Sequence, residues 1–202
     1  MSFFDGRPFR PEPEPERPPQ PDWLGPPNGT IGGYVADRLV LIRSPKVALV
    51  IDGLRCFPTG VAFDQQLWIR RDGADFDHFE PPWERGHQFR PFGAGGGAGV
   101  EPALRLGVAF SDGSTWSNLD VVGRFDPQQP PPSPQVFPRG GSGGGGGEIQ
   151  HWDFSAWLWP LPPPGPVRFV ASWPELGIDE VSAEISGDVL RDAAARAETL
   201  LG

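Results

Sequence analysis

The sequence predicts an all-β protein: an antiparallel β-sandwich of about eight or nine strands, with a C-terminal α-helix and a Pro-rich N-terminal tail. Three observations predict it. Apolar residues alternate with polar ones in several short runs. Tight-turn sequences separate those runs. The 28 glycines and 27 prolines, roughly 27% of the chain and about twice ordinary usage, collect mainly between the runs rather than inside them.

Residues 1–29 open the chain with Pro11-Glu12-Pro13-Glu14-Pro15-Glu16. Proline lacks an N–H for a helix, and the repeat has nothing apolar to bury, so the segment is read as an extended tail. Residues 30–202 form one β-sandwich domain behind it. Val47–Phe57 and Val61–Arg70 flank Pro58-Thr59-Gly60 and form a hairpin. In the second strand Val61, Phe63, Leu67 and Ile69 share one face, while Asp64, Gln66 and Arg70 share the other. Asp52-Gly53 inside the first strand is read as a bulge, because the turn is already supplied at residues 58–60. A long loop, 71–102, follows.

Leu104–Phe110 alternates again, and Asp112-Gly113 is a two-residue hairpin signal before Thr115-Trp116-Ser117. A second long loop, 124–148, contains Pro131–Pro134 and the run Gly140–Gly147, interrupted only by Ser142, and is read as a flexible connection. Trp152–Trp159 and Val167–Trp173 flank Pro162–Gly165 as another hairpin, and Val181, Ala183 and Ile185 continue the alternation. Leu190, Ala193, Ala194, Ala197 and Leu201 have helical spacing, which predicts a helix over 188–201 with Asp188 as its cap.

Composition excludes several functions. The net charge is −9 and no basic stripe is visible, which argues against nucleic acid as a partner and against anionic membrane surfaces. No apolar run approaches the ~18 residues of a membrane-spanning helix. The chain starts without a basic flank followed by an apolar stretch, so no signal peptide is read and a cytoplasmic setting is expected. Cys56 is the single cysteine, which removes an internal disulfide framework and a four-cysteine zinc site. Its apolar neighbourhood points to a buried structural thiol.

Two clusters have chemical potential. Asp72, Asp75 and Asp77 on the 71–102 loop have the carboxylates of a hard-cation site, but their order around Gly73 is not that of an EF-hand, and a solvated acidic loop is the simpler reading. Trp157, Trp159 and Trp173 lie in one hairpin. Trp157 and Trp159 share a strand face, and Trp152, Phe154 and Leu158 share the other. Either both faces are covered, or one is an exposed aromatic platform for sugar rings or protein partners. The glycine run lacks the Gly-Lys-Ser/Thr ending of a phosphate loop, and no Gly-x-Ser-x-Gly elbow occurs. No catalytic residue and no cofactor is predicted.

Pro27-Asn-Gly-Thr-Ile-Gly-Gly33, Cys56-Phe-Pro-Thr-Gly-Val-Ala-Phe63 and Trp157-Leu-Trp-Pro-Leu-Pro-Pro-Pro-Gly-Pro-Val-Arg-Phe-Val170 with Trp173-Pro-Glu-Leu-Gly-Ile178 resemble an uncharacterised protein family of high-GC actinobacteria. The resemblance covers roughly residues 22–201. It implies an actinobacterial source and an intracellular setting, and it carries no activity. The expected function is a non-catalytic protein-interaction or scaffold module. The alternatives are a carbohydrate- or small-ligand-binding sandwich using Trp157 and Trp159, and a metal-binding module or metal-dependent enzyme on the 71–102 loop.

Overall fold

The computed structural model describes residues 20–70, 104–120, 129–146 and 148–201. The 71–102 loop, with Asp72, Asp75 and Asp77, lies outside the described residues, as does most of the Pro/Glu tail. The described strands are β1 (Thr30–Ile31), β2 (Gly33–Val35), β3 (Leu39–Arg43), β4 (Val47–Phe57), β5 (Gly60–Arg70), β6 (Arg105–Ala109), β7 (Thr115–Ser117), β8 (Gln135–Gly146), β9 (Ile149–Trp159), β10 (Pro166–Trp173), β11 (Ile178–Ser186) and β12 (Glu198–Thr199). The helix α1 (Gly187–Ala194) follows β11.

Two antiparallel sheets make the fold. The first runs β2-β4-β5-β9-β8, with β3 pairing β4 beyond β2, and the second runs β11-β10-β6-β7. Period two explains why they face each other. Val61 pairs with Leu158, Phe63 with Ala156 and Leu67 with Trp152 across β5 and β9, and these residues, with Ile69 on β5 and Phe154 on β9, are buried on the inner face. Val167, Phe169, Ala171 and Trp173 on β10 do the same from the second sheet, and the Phe63 and Phe169 rings meet edge-on at 5.6 Å. Burying side chains of this size stabilises by about 1.5–3 kcal/mol each, which fixes the register, because a one-residue slip would turn every one of them outward.

The turns follow their chemistry. Gly53 has φ of 61°, and the β4–β5 register shifts between Asp52 and Arg55, so the bulge is present. Asp112 accepts hydrogen bonds from Ser114 N at 2.9 Å and Ser114 Oγ at 2.6 Å. These hold its carboxyl below the usual carboxylate range and tie the β6–β7 turn.

Two expectations are corrected. The helix spans Gly187–Ala194, not 188–201, and its N-cap is Ser186, whose Oγ accepts from Asp188 N at 3.2 Å. Leu190, Ala193 and Ala194 are buried, but Leu201 is 77% exposed, so the last part of the periodic pattern has no surface to pack on. The chain instead turns and β12 pairs β1, Thr199 opposite Thr30 and Glu198 opposite Ile31. The glycine run is likewise no loose connection. Gln135–Gly146 is the twelve-residue strand β8, paired with β9 from Gln135↔Trp159 to Gly146↔Ile149.

Candidate functional site: the outer face and open edge of the larger sheet

On β9 the odd residues point away from the core. Read with their cross-strand partners on β5 and β8, they form rows across the outer face: Ala62–Trp157–Phe137, Asp64–Ser155–Gly140, Gln66–Asp153–Ser142 and Trp68–His151–Gly144. The face is therefore graded from apolar at one end, through a charged middle, to a mixed aromatic end.

The apolar end is covered. Trp157 has no exposed surface and packs with Phe57 and Ala62, with the Phe57 ring at 5.8 Å. Trp157 Nε1 donates to Trp23 O at 3.2 Å, and Trp23 lies against Phe137 at 6.0 Å. Trp23, itself buried, belongs to the segment read from sequence as an extended tail; its described part closes this face. Trp173 is buried in the core from β10, and Trp159 is half-buried at the margin of the Trp157 cluster. An open stacking platform of Trp157 and Trp159 is thus corrected: Trp157 is covered and has no face to offer a ring, and the further candidate Trp173 has none either.

The middle of the face is self-satisfied. Asp64 Oδ1 accepts from Ser155 Oγ at 2.8 Å and Arg55 Nη2 at 3.2 Å, while Arg55 Nη1 is 3.2 Å from Asp64 Oδ2. Ser155 is no activated nucleophile: it donates to a carboxylate, and His151 sits four residues along the same strand, about 13 Å away. His151 stacks on Trp68 at 4.8 Å and lies 3.3 Å from Asp153 Oδ1. Burial pushes the Cys56 thiol up to about 11, opposed in part by Arg196, so Cys56 stays protonated at neutral pH. Among the described residues no three His, Cys, Asp or Glu side chains group as a metal site, and no helix is long and apolar enough to cross a membrane.

Beside this face lies the feature that sequence reasoning missed. β8 is an edge strand: β9 pairs one side of it, and among the described residues no strand pairs the other. Two of its glycines are explained by the chain itself. A Cβ on Gly141 would lie 2.6 Å from Phe154 Cδ1, and one on Gly143 would collide with the Trp152 indole. Phe154 and Trp152 lean across from β9 and cover the inner side of the bare strand, supplying the apolar surface it lacks. Gly140 is different: among the described residues a Cβ there meets nothing within 4 Å. The signal available in the sequence was the alternation of Trp152 and Phe154 beside an equally long glycine run.

No protein-family model matches the chain, and neither the curated proteins nor the solved structures yield a match.

Proposed function

We propose that the protein is a non-catalytic protein-interaction module whose binding element is the open edge of β8, which takes up an extended chain segment as an added strand. One observation carries this: a long edge strand whose Gly140–Gly146 half is unpaired on its outer side among the described residues. Backbone N–H and C=O groups along such an edge are a template for strand addition. Glycine weakens a strand by roughly 0.5–1 kcal/mol per residue, and among the described residues Gly140 has no neighbour that requires it, so bare backbone there favours close approach from outside. The β8 edge carries devices against pairing only at its other half, where Pro138 and a bulge at Arg139 interrupt the ladder.

The experiment is hydrogen exchange on the full chain with strand-forming peptides selected against it by display. Slowed exchange at the outward-facing amides of Gly140–Gly146 is the expected result. Bound peptides that leave those amides unchanged overturn the proposal.

A further inference from the structure

We infer that the strand added at this edge is β8 of a second copy of the chain, in an antiparallel pairing whose two-fold axis passes through Ser142. The inference rests on the docking edge proposed above and names its occupant. Directly opposed residues of an antiparallel pair share a face. On β8 the outer face carries Phe137, Gly140, Ser142, Gly144 and Gly146, and Arg139 is the residue left out by the bulge. Centred on Ser142, the self-pairing sets Gly141 against Gly143 and Gly140 against Gly144, and it stops where Pro138 and the bulge at Arg139 interrupt the strand. Both pairs match in face.

Charge agrees. Two chains of net charge −9 repel, yet Gly140–Gly146 bears no charged side chain. Antiparallel pairing also brings the Arg139 end of one strand toward the Glu148 end of the other.

The test is the solution mass of the full chain with three variants. The wild type is expected at twice the chain mass of 21.9 kDa. Ser142→Cys is expected to form a disulfide-linked dimer on mild oxidation, with Cys56 too buried to compete. Ser142→Lys sets two ammonium groups opposite each other on the axis and is expected to give the monomer mass. Gly140→Lys, on the same exposed face but opposite Gly144, is expected to remain dimeric, which separates interface repulsion from a folding defect. A wild-type monomer overturns the inference, as does a dimer that Ser142→Cys does not link and Ser142→Lys does not dissociate. A monomer whose β8 amides are slowed by peptides leaves the docking edge standing without self-pairing; a monomer with no slowing ends both.

Discussion

The indole of Trp152 occupies the space that a side chain on Gly143 would need. The two residues are cross-strand partners on the inner face, so the bulk that β8 lacks is supplied by β9. That relationship turns a low-complexity run into an ordered strand whose far edge, among the described residues, no strand pairs.

Substitutions along β8 should therefore be unequal. Gly143→Ala and Gly141→Ala are expected to cost about 1–3 kcal/mol, because Trp152 and Phe154 must move off their positions. Gly140→Ala meets open space and should stabilise by about 0.5–1 kcal/mol through the lost flexibility of the unfolded chain. Urea unfolding of the three variants checks this; equal effects at Gly140 and Gly143 would mean that the indole is not seated there.

Gln65 is a polar residue in the core. It sits on the inner face of β5 with no exposed surface, and among the described residues neither its Oε1 nor its Nε2 has a hydrogen-bond partner. An unpaired buried amide is destabilising by about 1–3 kcal/mol. Gln65→Leu should raise the melting temperature; a fall would show that the amide is paired in solution.

The apolar patch outside the sheet should behave as a second small core. Trp157→Ala is expected to lose about 3–5 kcal/mol, in the range for a fully buried aromatic. Trp159→Ala, half-buried, should lose clearly less. Loss of the Trp23 cover can be followed in the same variant by the near-ultraviolet dichroism of the remaining indoles.

Two groups set a pH signature. The Cys56 thiol, raised to about 11 by burial, favours the neutral form in the folded chain. Its contribution to stability is therefore complete below the unfolded-state value, near 9.0, and is lost as pH rises toward 11. Alkylation of the native protein at mildly alkaline pH should be slow, and fast in denaturant. Asp112 has the opposite sign: its carboxyl is held low by Ser114, so its contribution is present above the ordinary aspartate range and disappears as pH falls through the lowered value. Carboxyl titration by NMR should place Asp112 below a free aspartate, and Ser114→Ala should raise it part of the way, because the bond from the backbone N–H at position 114 remains.

How much of this was legible depended on how local the cause was. The β4–β5 hairpin, its bulge at Asp52-Gly53 and the Asp112-Gly113 turn are written in neighbouring residues, because alternation and turn geometry act over a few positions. The cover over Trp157 comes from Trp23, 134 residues away, and no local pattern announces it. The helix ends early because β12 finds β1 at the opposite end of the chain. The strand at Gly140–Gly146 has almost no side-chain signal of its own; its order comes from Trp152 and Phe154 on the next strand. Trp152–Trp159 and Val167–Trp173 do not form the hairpin that the Pro162–Gly165 turn suggests: β9 pairs β5 and β8 in the larger sheet and β10 pairs β6 and β11 in the other, so the turn crosses between sheets and the tryptophans on either side of it pack separately.

The central claim is that the outer edge of β8 is where this molecule engages a protein strand. Backbone hydrogen exchange, resolved at Gly140–Gly146 and measured on the full chain from dilute to concentrated solution, tests it most directly. Pairing between copies predicts that the outward-facing amides of β8 slow with concentration, while those of β5, at the centre of the same sheet, do not change. Exchange at β8 that is independent of concentration and unmoved by strand-forming peptides would contradict it.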